Sequence, residues 1–129
     1  MYDVTVTDTI SASHHLRGYQ GKCENIHGHN YKVEVTVRAT TLDDTGLAID
    51  FGILKGILRQ VVEKFDHKDL NSCEEFLEIN PSSENIARII FSLIQEKISA
   101  LRHDNTVKLH KVRVWETDGN LVTYRPDSE

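Results

Sequence analysis

Tyr31, Val33, Val35, Val37 and Ala39 alternate with Lys32, Glu34, Thr36 and Arg38. An apolar period of two sustained this long suits a strand with one buried and one wetted face, not a helix. The run follows without a break from His27-Gly28-His29, so the two histidines sit at the start of that strand. Side chains two apart in an extended segment share a face, their Cα atoms roughly 6 to 7 Å apart, so both imidazoles can converge on one ion. Gly28 leaves the opposite side uncrowded. Upstream, Val4, Val6, Ile10, Ala12 and His14 share one parity. That pattern predicts a first strand from about Tyr2 to Ser13, with some irregularity, carrying His14 onto its apolar face. Three neutral imidazoles from neighbouring strands leave the fourth tetrahedral position open, as a catalytic rather than a structural zinc requires. Iron, nickel or copper also accept this set, so the ligands are better defined than the ion. The polar run Arg17-Gly18-Tyr19-Gln20-Gly21-Lys22 reads as a loop delivering Cys23, where a nearby dication favours a thiolate and hence a base over the alternatives of a fourth metal ligand or an inert buried thiol.

Asp44-Thr45-Gly46 reads as a turn, and Asp50 as the N-cap of a helix burying Phe51, Leu54, Leu58, Val61 and Phe65, with Asp66-His67 following its end. Pro81-Ser82-Ser83-Glu84 opens a second helix, serine capping it and Glu84 favouring its positive pole. Its stripe is Ile86, Ile89, Ile90, Leu93, Ile94 and Ile98, the spacing of a helix that covers a sheet. Val107 to Glu116 and Leu121 to Arg125 form a hairpin around Asp118-Gly119-Asn120. The resulting order, ββααββ, is an α+β pattern: an antiparallel sheet of four short strands with two helices on one face. The length of 129 residues suits a single domain spanning 1–129. Val33 to Arg38 and Val107 to Glu116 are long enough to be hazardous as open edges, so an oligomer with a continuous sheet or barrel across chains is expected.

Lys and Arg number 15 against 20 Asp and Glu. That balance offers no extended surface for nucleic acid or an anionic membrane and points to a small-molecule or protein partner. Met1-Tyr2-Asp3-Val4-Thr5 lacks the features of a leader, and no segment approaches the roughly 20 apolar residues of a membrane span, so a cytoplasmic protein is expected. Cys23 and Cys73 are expected to be free thiols, Cys73 joining no motif. His103 and His110 read as structural, and His15, on the opposite face from His14, is not expected to be a ligand. Asp66-His67, taken alone, is an exposed pair at a helix end. Glu116 shares its apolar strand face with Val114 and needs hydrogen-bond donors there, which a ligand would supply. Trp115, on the other face, is expected to pack against a helix or a neighbouring subunit.

Taken together, Cys23-x-x-x-His27-Gly28-His29, the upstream His14, Asp66-His67, Pro81-Ser82-Ser83-Glu84-Asn85 and Glu116-Thr117 resemble the 6-pyruvoyltetrahydropterin synthase superfamily over nearly the whole chain. The three residues between Cys23 and His27 resemble its 6-carboxy-5,6,7,8-tetrahydropterin synthase branch. This resemblance implies the tunnelling fold (T-fold), with sheets joining into a barrel, trimers stacking into a homohexamer (a dimer of trimers) and active sites at subunit interfaces. It implies a zinc-dependent carbon–oxygen lyase that converts 7,8-dihydroneopterin triphosphate to 6-carboxytetrahydropterin, releasing acetaldehyde and triphosphate, on the route to 7-deazaguanines such as queuosine. By the same resemblance His14, His27 and His29 hold Zn2+, Cys23 is the base, and Asp66 and His67 form a proton relay. Glu116, with Thr117 beside it, anchors the pterin. The alternatives are 6-pyruvoyltetrahydropterin synthase activity on the same substrate and a non-catalytic zinc- or pterin-binding protein. The chain departs from the family pattern at His15, where arginine is common, at Ser82, where threonine stands, and at Ile10, where phenylalanine is frequent. None of the three is an expected ligand.

Overall fold

The structure, a computed structural model, describes residues 1–19, 21, 24–101 and 107–127. Its elements in chain order are β1 (Tyr2–His14), β2 (His27–Ala39), α1 (Phe51–Glu63), β3 (Lys68–Asp69), α2 (Ser83–Ser99), β4 (Val107–Thr117) and β5 (Asn120–Tyr124). They form one sheet in the order β3-β1-β2-β4-β5, antiparallel throughout except for the parallel pairing of β1 with β3. The α+β class and the ββααββ order hold, with two differences in the strands. β1, β2 and β4 are long rather than short, at 13, 13 and 11 residues. β3 is a fifth strand of two residues, Lys68 and Asp69 against Ala12 and Ser13, too brief to leave any periodicity.

The period-two reading of the first hairpin carries through its whole length. β1 runs without interruption, and Val6, Ile10, Ala12 and His14 are buried on the face that the helices cover. Asp8 falls on the same parity and receives Arg59 of α1, whose Nη1 lies 3.2 Å from both carboxylate oxygens. A charge on a packing face therefore has its partner in the element packed against it. The opposite face is polar: Thr5 and Thr36 share a hydrogen bond of 2.8 Å, and Ser11 donates to Asn30 at 2.7 Å. Trp115 lies on this face beneath two cations, with Lys32 at 4.6 Å and the Arg113 guanidinium at 4.8 Å from the ring centre. Cation–π contacts, not the expected packing against a helix, hold it in this chain.

Both helices are capped as their sequences require. Asp50 accepts from the Gly52 amide at 2.6 Å, and Ser82 accepts from the Asn85 amide at 3.2 Å. α1 buries Leu54, Ile57, Leu58, Val61 and Val62, with Phe65 buried just past its end. Phe51 is 61% exposed, against expectation, because a first-turn side chain leans back off the start of its helix. α2 buries Ile86, Ala87, Ile90, Phe91, Ile94 and Ile98, and Ile89 and Leu93 flank that stripe half-buried. Ile90 is fully enclosed, so Ile90→Ala is expected to cost about 2–5 kcal/mol of stability, read as a lowered urea midpoint with an unchanged slope.

Candidate metal centre

The β1–β2 ladder ends with His14 opposite His27 and, two pairs in, Ala12 opposite His29. Directly opposed residues project to the same side, so all three imidazoles emerge on the helix-covered face. Their rings stand edge to face, with centroids 4.5 Å apart for His14–His27, 4.9 Å for His27–His29 and 5.3 Å for His14–His29. The Nδ1 of His14 is 2.7 Å from the Pro81 carbonyl, and the Nδ1 of His27 is 2.7 Å from the Asn25 carbonyl. A carbonyl only accepts, so each Nδ1 carries a proton, and in the neutral ring each Nε2 is then a bare lone pair. Those two Nε2 atoms face each other at 3.0 Å. Two lone pairs so placed repel unless a cation lies between them. The Nε2 of His29 is buried and has no hydrogen-bond partner. A ligating histidine ordinarily donates its other ring N–H to a carbonyl or carboxylate, as His14 and His27 do here. The residues therefore fit a metal ion on chemical grounds.

Glu116 completes the group: one donor atom from each of His14, His27, His29 and Glu116 lies within 4.8 Å of all the others. Its Oε1 is 3.1 Å from the Nε2 of His29, and its Oε2 accepts from the Ser83 hydroxyl at 2.9 Å. The register of β4 against β5 shifts between Trp115 and Thr117, leaving Glu116 as the extra residue of a bulge. Bulges re-aim side chains, and this one lies at the strand end nearest the imidazoles. Thr117 is the exposed last residue of β4, paired with Asn120 across the turn. Beneath the group Tyr31 is fully buried, its ring 5.6 Å from that of His14 and 5.4 Å from that of His29, and its hydroxyl has no hydrogen-bond partner. Burial, and secondarily the Glu116 carboxylate, hold the Tyr31 phenol far above its ordinary range, so it is a neutral donor.

A residue that the sequence placed in a plain loop supports the carbonyl orienting His14. Arg17 donates through Nη1 to Ile79 O at 3.1 Å and through Nη2 to Asn71 O at 3.2 Å and Phe76 O at 2.8 Å. Its own backbone exchanges hydrogen bonds with the Asn80 side chain at 2.8 and 3.0 Å. The segment leading to Pro81 is thereby clamped against the end of β1. His15 is fixed similarly by Asn71, which accepts from its amide at 2.9 Å and donates to its carbonyl at 3.1 Å, and it stands outside the donor set as expected.

Asp66 and His67 occupy the corner after α1, docked on the outer edge of β1. Asp66 accepts from the Ser11 amide at 2.8 Å, and the His67 amide donates to the Ser11 carbonyl at 2.6 Å. The Ser11 hydrogen bond lowers the Asp66 pKa, with the His67 and Arg59 charges adding to it against burial. His67 is in the left-handed region at φ 57°, and its side chain is 83% exposed, with Nε2 3.7 Å from an Asp66 oxygen. It lines an open concavity of about 570 Å3 at the end of β1 and β2, which His29 of the donor group also lines. One chain assembles His14, His27, His29 and Glu116 into one donor group, and Asp66-His67 stands outside that group at the outer edge of β1. Cys23 and His103 lie outside the described residues; His110 is buried in β4, and Cys73 is a free thiol. Ser83, Arg17 and Tyr31 were not read as site residues. Ser83 carried a signal, since the motif holding it begins at Pro81, whereas Arg17 acts on carbonyls that have no signature in sequence.

An antiparallel sheet backed by two helices, with three imidazoles and a carboxylate converging at one end, defines a T-fold protein with a prepared metal site. Residues 3–127 match the 6-pyruvoyl tetrahydropterin synthase family model, and the chain belongs to that family. It is 44% identical over 122 residues, covering 95% of this chain and 94% of the other, to an Archaeoglobus fulgidus protein provisionally named a 6-carboxy-5,6,7,8-tetrahydropterin synthase. It is 34% identical to the 6-carboxy-5,6,7,8-tetrahydropterin synthase of Bacillus subtilis, covering 91% and 80% of the two chains. It is 33% identical to the 6-pyruvoyl tetrahydrobiopterin synthase of Dictyostelium discoideum, covering 92% and 84%. Among solved structures, the 6-pyruvoyl tetrahydropterin synthase of Caenorhabditis elegans superposes with a TM-score of 0.82 at 28% identity, covering 98% and 96%.

Burial, more than any other influence, pushes the His14 pKa below its ordinary 6.5, and the Pro81 hydrogen bond only partly offsets this. A lowered histidine pKa means that the folded metal-free protein loses stability as pH falls through 6.5 toward the depressed value, where the unfolded chain binds the proton first. Urea titrations of metal-free protein from pH 7.5 down to 5 are expected to show this loss, and His14→Gln is expected to flatten that part of the profile.

Proposed function

We propose that this protein is a zinc-dependent 6-carboxy-5,6,7,8-tetrahydropterin synthase, a carbon–oxygen lyase acting on 7,8-dihydroneopterin triphosphate and supplying the queuosine route. The observation that carries the reading is the pair of bare Nε2 lone pairs of His14 and His27 facing each other at 3.0 Å, with His29 unpartnered beside them. Family membership and two relatives named for this activity support it, as does the three-residue interval between Cys23 and His27. His14, His27 and His29 would hold the zinc, which when bound supplies Lewis acidity toward the substrate's side-chain hydroxyls. Glu116 accepts from the pterin ring N–H and exocyclic amine, with Ser83 fixing its second oxygen and Thr117 beside it. Cys23 takes a substrate proton as the base. Asp66 orients His67, whose imidazole exchanges protons with the thiol or the substrate.

That relay stands at the outer edge of β1, outside the group formed by the imidazoles and Glu116, and we read the sites as shared between subunits. The long outer edge of β1 is covered at its end by β3 against Ala12 and Ser13 and by Asp66 and His67 at Ser11, and its earlier part, before Ser11, is suited to joining another copy. We therefore read the assembly as a cytoplasmic homohexamer, a dimer of trimers, and native mass spectrometry is expected to find six copies of the 14.7 kDa chain.

Incubation with 7,8-dihydroneopterin triphosphate is expected to release acetaldehyde in proportion to substrate consumed and to yield 6-carboxytetrahydropterin. Accumulation of a pyruvoyl product without acetaldehyde would move the assignment to the activity for which the Dictyostelium relative is named. The Cys23→Ala variant is expected to keep zinc and pterin while turnover drops by roughly 100-fold or more, the scale of a lost acid–base group. Undiminished turnover would remove Cys23 from the mechanism, and an absence of turnover in the parent protein with ligand binding intact would leave a binding protein.

A further inference from the structure

Arg59 is a cation of α1 that the functional reading leaves unused, and its nitrogens are divided among the carboxylates of Asp8, Asp66 and Glu63. Nη1 lies 3.2 Å from both oxygens of Asp8, Nη2 lies 3.3 Å from Oδ2 of Asp66, and Nε lies 3.4 Å from Oε1 of Glu63. Glu63 is an exposed partner one helical turn on, and such a pair contributes little. The other two contacts tie α1 to β1 and to the corner that follows the helix. Neutralising Asp8 on the packing face is the plainer task for Arg59, and it does not require Nη2 to reach Asp66.

The two oxygens of Asp66 are engaged by different elements: Oδ1 accepts from the Ser11 amide of β1 at 2.8 Å, and Oδ2 faces Arg59. A carboxylate held at both oxygens cannot turn about its own bond. His67 depends on that carboxylate for its placement. Its backbone is fixed, at φ 57° and with its amide on the Ser11 carbonyl, but its side chain is 83% exposed. The imidazole Nε2 stands 3.7 Å from Oδ2 of Asp66, beyond hydrogen-bond length. The oxygen that faces the ring is therefore the one that Arg59 holds.

We propose that Arg59 is a positioning residue for the Asp66-His67 pair: anchored on Asp8, its guanidinium fixes Oδ2 of Asp66, and the fixed carboxylate sets where the His67 imidazole stands. Its effect on turnover rests on the functional reading above; its hold on the corner does not. Arg59 touches no substrate and moves no proton. Through Asp66 it narrows the orientations open to an exposed ring, as proton transfer by that ring requires. The planar fork suits this task, because it spans two carboxylates where a single ammonium serves one.

The test compares Arg59→Gln, Arg59→Lys and the double variant Asp8→Asn, Arg59→Gln, each as the full-length, zinc-loaded protein. Arg59→Gln takes away the Asp8 ion pair and is expected to lower the urea midpoint, whereas the double variant removes the carboxylate charge as well and is expected to recover it. The placement of His67 is read without turnover, from its ring proton signals in protein deuterated at all residues except histidine, identified by their absence from His67→Gln. In Arg59→Gln and in the double variant these signals are expected to shift and broaden at constant pH. Turnover of 7,8-dihydroneopterin triphosphate is expected to show kcat lowered roughly 10- to 100-fold with KM little changed, the scale of a misplaced catalytic group. Arg59→Lys, with the charge but not the fork, is expected to keep its stability and to recover part of kcat. An Arg59 that only neutralises Asp8 gives a double variant with the parent signals and the parent kcat, and the return of either one overturns the proposal. Displaced His67 signals in the variants of a protein whose parent form does not turn over this substrate fault the functional reading and leave Arg59 in its positioning role.

Discussion

In the ladder between β1 and β2, pairing runs in unbroken register from Tyr2 opposite Ala39 to His14 opposite His27. The register decides which side of the sheet every residue of the hairpin occupies, and the last pairs of the ladder carry the three histidines of the candidate metal centre. A slip of one residue would turn His14 to the polar face and take Val6 and Ile10 out of the core with it. The hydrophobic effect acting on residues such as Tyr31, Val33, Val35 and Val37, all fully buried, thus holds the imidazoles in register. Core packing along the whole hairpin sets the face on which the imidazoles stand, and the Asn25 carbonyl of the joining segment then orients the His27 ring.

What was legible in the chain followed from periodicity. The two histidines separated by one glycine, and His14 on the parity of Val6, Ile10 and Ala12, could be placed on one face because a strand alternates strictly and apolar neighbours mark which side is buried. Helix limits were legible through Asp50 and Ser82, whose side chains accept from amides a few residues on. What escaped had no period. β3 is two residues long, and Phe51 obeys the helical spacing but sits at the helix tip. The contacts that orient the donor group reach across 67 residues from His14 to Pro81 and 33 residues from Ser83 to Glu116. The first of these is made to a backbone carbonyl, which every residue possesses and no sequence pattern can announce.

Position 15, next to a member of the donor group but outside it, illustrates how a neighbouring histidine is absorbed. Histidine stands there and is tied by both its amide and its carbonyl to the side chain of Asn71. The guanidinium in this region belongs instead to Arg17, and its Nη1 and Nη2 are directed at three main-chain carbonyls. A cation so engaged serves the architecture of the loop and is not available to an anionic substrate. Lysine, a single point of charge, would not reproduce the fork that reaches these oxygens. Positive charge near the site therefore has to be assessed by what each group already holds, not by a tally of basic residues.

The two acceptors that fix the His14 and His27 tautomers are both main-chain oxygens, from Pro81 and Asn25. A carbonyl survives any substitution of the residue that bears it, so these contacts are insensitive to drift in the composition of their loops. They are sensitive to length: one residue gained or lost between Asn25 and His27, or between Pro81 and the cap at Ser82, would move the oxygen away from the ring it orients. Such a site is free to diverge in the identity of its surroundings while its spacing stays fixed. Insertions and deletions, more than replacements, would mark where descendants of this fold have given up their ion.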